Sequence, residues 1–361
     1  MTDILYGTRA SLFTGKARAY LDWKGIDYRE IPPDAKIREE VILPAVGRMV
    51  IPVMQLSDGT ILQDTSVIID HYEAAIDGPS VYPSTPRQKF AAMLLETYGD
   101  EWLVIPAMHY RWNYNEGWIY GEFGKSFLPD ASAEQQEAAG RMVGERFKGF
   151  VPMLGINDAS IPAIEASYEA LLTDLNSHFE RHDFLLGSRP SIGDYGLIGP
   201  MYAHLYRDPE SGKVMKRLAP RVADWVERMV EPTAKQSGEF LGDDEIPDTL
   251  VPVLQRMMQE QIPNLLETAQ LMTEWGKSSG ERELPRAVGQ AGYWVEGHAS
   301  ARFASTFSLW MLQRATDYLA TLQGEDRAAC EALLREAGGE TLLDFPMPFR
   351  LEFKDHRLWR A

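Results

Sequence analysis

Apolar positions in the first eighty residues switch repeatedly between a period of two and a helical period. Ile4-Leu5-Tyr6 is a short apolar run that predicts a strand, and Ala17, Leu21 and Trp23 recur at helical spacing between Lys16 and Lys24. Tyr28 to Ile31 reads as a second strand, broken by Pro32-Pro33. Residues 34–43 carry a weak helical pattern that Pro44 should stop. Val50 to Leu56 and Thr60 to Gln63 form a strand pair around Ser57-Asp58-Gly59, a hairpin signal. Thr65 or Ser66 then caps a helix through Val67, Ile68, Ile69 and Tyr72. The order strand, helix, strand, helix, strand, strand, helix predicts a small α/β domain over residues 1–80.

After a Gly78 to Pro83 linker, strand signals almost vanish. The stretch from Arg87 to about Tyr120 starts as a helix and is rich in aromatics: Tyr98, Trp102, Tyr110, Trp112, Tyr114, Trp118 and Tyr120. Such rings could line an apolar cleft, but more often they pack helices together or fill a subunit interface. Ser160 to Arg181 is an amphipathic helix. Ser191 and Asp194 have the spacing of a capping box, and Gly193, Gly196 and Gly199 recur at helical spacing that lets a neighbouring helix approach. An all-helical second domain is therefore expected over 87–235. Glu231 to Asp248 is polar and holds Pro232, Gly238, Gly242 and Pro247, a second boundary. Beyond it, residues 245–361 predict a mostly helical segment packed on the helical domain. It has a long stripe from Leu250 to Leu266 that Pro263 should kink, a short strand or hairpin at 287–297, and a helix from Phe303 to Leu322.

Composition narrows the chemistry. The chain has 361 residues, 45% of them apolar and 25% charged, the profile of a globular protein. A net charge of −17 argues against nucleic acid or an anionic membrane surface as partner. No run is long enough to span a membrane, and the first residues lack a basic and apolar leader pattern, so a cytoplasmic location is expected. The lone cysteine, Cys330, rules out an internal disulfide and reads as a packed small side chain. His178 and His182 share helical spacing but no third ligand is evident, so no metal is expected. Gly276-Lys277-Ser278 lacks the upstream glycine of a phosphate loop, and neither a dinucleotide-binding glycine pattern nor a nucleophile elbow occurs.

One local feature carries chemistry. Ser11 follows the first strand and opens the first helix. Helix N-termini have unpaired N–H groups and about half a positive charge, which stabilise an anion, a thiolate included. A serine hydroxyl there could donate one more hydrogen bond to that thiolate. Taken alone, these residues favour a simple N-cap.

Three motifs in order change that balance. Ser11-Leu12-Phe13-Thr14-Gly15-Lys16-Ala17-Arg18, followed by Lys24-Gly25-Ile26, resembles the serine-type signature of cytosolic glutathione transferases. Gly47 to Met54 with Thr65-Ser66-x-Ile68-Ile69-x-x-Tyr72 is similar to that family's glutathione-binding stretch, and the Ser191 to Asp194 box is the third match. The resemblance covers about the first 230 residues. It implies a thioredoxin-like domain, then an all-helical domain, with 245–361 as an added segment. It implies Ser11 as the group that activates the glutathione thiol, although tyrosine-type members use a residue placed like Tyr6. Pro52 is then expected in cis, with Val50 and Ile51 beside it and the Ile51 backbone pairing with the cysteinyl part. Thr65 and Ser66, with Asp64 before them, are expected to hold the γ-glutamyl end, and Arg48 the other carboxylate. Thr65 stands where the family has Glu or Gln.

The implied activity is attack by the glutathione thiolate, as co-substrate, on a small apolar electrophile, in a cytoplasmic homodimer. The alternative is a non-catalytic binding or scaffold protein on the same fold.

Overall fold

The structure is a computed structural model that describes residues 2–231 and 238–361. Pro232 and the expected boundary at 235 lie outside the described residues. The N-terminal part runs β1 (Asp3–Tyr6), α1 (Leu12–Lys24), β2 (Tyr28–Ile31), α2 (Ala35–Ile37), a π turn at Arg38–Ile42, α3 (Leu43–Val46), β3 (Val53–Gln55), β4 (Ile61–Gln63) and α4 (Thr65–Ala75). β1 lies parallel to β2 and antiparallel to β3, and β3 pairs with β4, giving the order β2-β1-β3-β4. This mixed sheet with its helices is a thioredoxin-like domain.

The pleat sorts its side chains to two faces. Leu5 sits opposite Met54 and Tyr6 opposite Val53. Leu5 and Met54 join Ala17, Tyr20 and Leu21 of α1 and Ile68 and Ile69 of α4 in the main core. Tyr6 and Val53 pack on the other face with Ile42 and Val46. Two local expectations are corrected here. Pro44 does not stop the helical stretch: it falls in the first turn of α3, where a missing N–H is harmless, and Gly47 ends that helix at φ 76. Asp64, rather than Thr65 or Ser66, is the N-cap of α4.

Eight helices follow: α5 (Pro86–Glu101), α6 (Val104–Tyr114), α7 (Glu116–Phe127), α8 (Ala133–Lys148), α9 (Ile161–Phe179), α10 (Ile192–Ala203), α11 (Pro209–Leu218) and α12 (Pro220–Val230). The aromatic stretch is thus three helices. Tyr98, Trp102, Tyr110, Trp112 and Tyr120 are buried packing residues, while Tyr114 is exposed. At the head of α10, Asp194 accepts from the Ser191 N–H at 2.8 Å, the Leu185 N–H at 3.0 Å and the Trp225 ring N–H at 3.1 Å. The glycines of α10 admit α5: a Cβ on Gly196 would stand 2.5 Å from Glu96 Cα.

The last part comprises α13 (Val251–Ser278), β5 (Ala287–Val295), β6 (His298–Ser305), α14 (Thr306–Thr321), α15 (Gly324–Ala337), β7 (Leu351–Lys354) and β8 (Arg357–Arg360). α13 continues past Pro263. Phe303 belongs to β6, and the helix starts at Thr306, capped by Ser305. One hydrophobic core runs through residues from all three parts.

Candidate functional site

Ser11 holds the start of α1 in an extended conformation, and its Oγ accepts from the Thr14 N–H at 3.2 Å. The turn before it is fastened from the helical side. Arg111 Nη1 donates to the Ala10 carbonyl at 2.6 Å, while its Nε and Nη2 form a fork on Asp208 at 2.7 and 2.8 Å. Arg111 is buried, and so is His204 beside it. Burial and the adjacent Arg111 charge push the His204 imidazole far below its ordinary value, so it is neutral. Arg111 escaped the sequence reading, although an arginine between Tyr110 and Trp112 in a buried helix was the signal available.

Tyr6 lies on the sheet face opposite α1 and donates to Gln55 Oε1 at 2.7 Å. Burial raises its pKa, offset in part by Arg29. Its hydroxyl is engaged within the sheet.

The Ile51–Pro52 peptide is cis. Val50 and Ile51 are half-buried and Pro52 is buried. Among the described residues no hydrogen bond engages the Ile51 N–H or C=O, so this backbone is unpaired next to β3. Arg48 gives Nη2 to Gln63 Oε1 at 3.0 Å.

At α4 the structure separates three neighbours that the sequence grouped. Asp64 adopts φ 85 and accepts from the Ser66 N–H at 2.8 Å. Burial raises the Asp64 pKa against the pull of Lys16 and that N–H. Thr65 is 2% exposed, and its hydroxyl has no hydrogen-bond partner among the described residues. Ser66 is 0% exposed and turns inward. It donates to Glu96 Oε1 at 2.7 Å, Lys16 Nζ stands 3.4 Å away, and Met311 Sδ of α14 lies at 3.8 Å. Its hydroxyl is thus engaged in a buried network.

That network joins all three parts of the chain. Lys16 Nζ contacts Glu96 at 2.8 Å and Asp100 at 2.5 Å, and Arg314 of α14 bridges Glu96 at 3.0 Å and Asp70 at 2.9 Å. Burial alone would lower the Lys16 pKa, but Asp100 and Glu96 outweigh it and the ammonium is held above its ordinary value. Burial pushes Glu96 up, but Arg314 and Lys16 hold it below the usual carboxylate range. Asp100 lacks the arginine and is pushed up by burial.

The remaining candidates carry no site chemistry. His178 Nε2 donates to the Phe184 carbonyl at 3.3 Å, its Nδ1 hydrogen-bonds Thr249 Oγ1 at 2.8 Å, and its ring stacks on His182. Among the described residues no cluster of three or more potential metal ligands exists. Cys330 is buried, which pushes its thiol up to about 12. A cavity between α5, α6, α9 and α13 holds about 20 Å³, room for about one water and too small for an electrophile. No helix among the described residues is long and apolar enough to cross a membrane.

The N-terminal part is a thioredoxin-like sheet with a serine at the α1 N-terminus and a cis Ile51–Pro52 peptide before β3, and a helical layer is attached to it. Residues 5–80 match the family model described as glutathione S-transferase, N-terminal domain. No curated protein matches. Among solved structures the chain is similar to a glutathione S-transferase from Rhodospirillum rubrum, at 18% identity and a TM-score of 0.42, over 68% of this chain and 97% of that one. It is similar to a β-etherase from Sphingobium sp., at 16% identity and a TM-score of 0.45, over 65% and 97%. A glutathione transferase from Phanerochaete chrysosporium gives 18% identity and a TM-score of 0.45, over 67% and 98%.

Proposed function

We propose that this protein is a glutathione transferase-like enzyme that ionises the thiol of glutathione at Ser11 and directs it at a small apolar electrophile. The observation that carries this reading is the Ser11 hydroxyl. It accepts one N–H from its own helix, so its proton is free to be donated to a thiolate at the positive end of α1. The unengaged Ile51 backbone supports pairing with an extended peptide, as an added strand pairs. Thr65, with its unpartnered hydroxyl at the first turn of α4, takes the γ-glutamyl carboxylate, and Asp64 lies beside the amino group. Arg48 takes the glycyl carboxylate. Ser66 serves as the pin between the parts.

In this reading residues 1–80 bind the tripeptide, 87–235 support the Ser11 turn, and 245–361 cover α4 and α5. A homodimer in the cytoplasm belongs to the same reading, and sedimentation velocity checks its mass. Glutathione binding followed by calorimetry tests the proposal, with Ser11→Ala, Thr65→Val and Arg48→Ala as variants. Thr65→Val and Arg48→Ala are expected to weaken binding about tenfold each, the effect of losing one hydrogen bond to a charged group. Failure of the parent protein to bind glutathione sinks the enzyme reading in favour of a binding or scaffold protein on this fold.

A further inference from the structure

The final hairpin reaches the loop that carries Arg48. Arg357, the first residue of β8, sets its guanidinium against Gly47, where a Cβ would collide with Nη2. Residues 282–284 run antiparallel to β8: the Arg360 N–H donates to the Arg282 carbonyl at 2.8 Å, and the Leu284 N–H to the Leu358 carbonyl at 2.9 Å. Arg286 follows two residues after this pairing, and Arg286 and Arg357 both stand near enough to Arg48 to act on its charge, so the three arginines converge from two distant parts of the chain.

Their pairing is incomplete. Arg357 Nη1 bonds to Glu283 at 2.5 Å. Arg48 donates only to the neutral amide oxygen of Gln63, and Arg286 has no carboxylate partner among the described residues. Asp64 and Glu283 are the acids that act on Arg48, and Asp355 acts on His356. Burial, then Arg286 and Arg357, lower the Arg48 pKa, which reports the crowding of like charge. On a chain of net charge −17 this convergence runs against the global field.

We infer that Arg48, Arg286 and Arg357 form an anion site shared by the N-terminal domain and the C-terminal segment, and that it takes a small molecule with two or more carboxylate or phosphoryl groups. Two guanidiniums without a carboxylate set the minimum of two charges. The planar fork of arginine suits both kinds of oxyanion. This inference goes beyond the thiol reading and does not need it, since only Arg48 serves both.

The test is calorimetry on the full chain with pyrophosphate and with citrate, each against a chloride control of equal ionic strength. Saturable one-site binding is expected. Arg286→Ala and Arg357→Ala should each weaken it about tenfold or more, while circular dichroism shows the fold unchanged. Arg286 is exposed, so its variant keeps the test valid even if the hairpin suffers in Arg357→Ala. Absence of saturable binding, or an affinity in both variants equal to the parent's, overturns the inference. Acetate binding as tightly as citrate overturns the two-charge requirement. Glutathione binding without citrate or pyrophosphate binding defeats this inference alone, and the reverse pattern defeats the thiol reading alone.

Discussion

At the scale of single residues, the hydroxyl of Ser11 and the ammonium of Lys16 do opposite work. Ser11 keeps a donor in reserve, whereas Lys16 spends its whole charge on Glu96 and Asp100 inside the protein. Replacing Lys16 by methionine leaves two buried carboxylates without their ammonium, and breaking a buried pair costs about 3–5 kcal/mol. Urea unfolding of Lys16→Met should show that loss; a midpoint equal to the parent's removes the network from the stability of the junction. His178 gives a pH test. Burial lowers its pKa from 6.5 to about 4, so the folded state favours the neutral ring. Its contribution is complete above pH 6.5 and is lost as pH falls through 4, a change on the order of 3 kcal/mol. Unfolding free energies measured between pH 7.5 and 4 should fall less steeply for His178→Gln than for the parent, and parallel curves contradict the assignment. The site residues were only partly legible at this scale. Sequence order brought Asp64, Thr65 and Ser66 to one helix start, but it could not say which hydroxyl turns inward, because Glu96, thirty residues on, takes that of Ser66.

At the scale of elements, close approach explains where glycine is needed. Gly196 of α10 faces the Glu96 backbone of α5, so Gly196→Ala forces two helices apart and should cost about 1–3 kcal/mol, read by thermal or urea unfolding. The helical spacing of Gly193, Gly196 and Gly199 announced that contact. The thioredoxin-like strands and their helices were legible for a related reason: each has a clear apolar period, and each is bounded by Pro, Gly or a capping residue. α8 left no such trace. It is polar along most of its length and docks by Gly140 and Gly144, which lie against Tyr120 and its neighbours on α7, so its packing face carries no apolar stripe. The β7–β8 hairpin was likewise hidden, since four-residue strands ending in Arg and Lys resemble a polar tail.

At the scale of the whole molecule, the C-terminal segment meets the N-terminal domain at both ends of the candidate peptide site. α14 reaches Ser66, Asp70 and Glu96 through Met311 and Arg314, and β8 reaches Gly47 through Arg357. These two contacts tie the geometry of Arg48 and of α4 to residues more than two hundred positions away. Arg314→Ala therefore removes a cation that holds Glu96 and Asp70, and it should lower the unfolding midpoint and weaken glutathione binding together, which calorimetry and unfolding measured on one sample can compare. The proposed function stands on a thiolate held at Ser11. Its most direct measurement is the ultraviolet absorbance of the glutathione thiolate, titrated against pH in the presence of the parent protein and of Ser11→Ala. The parent is expected to ionise bound glutathione near neutral pH, and Ser11→Ala to raise that pKa by about one unit or more, equivalent to about 1.4 kcal/mol per unit. A bound thiol that titrates identically in both proteins would contradict it.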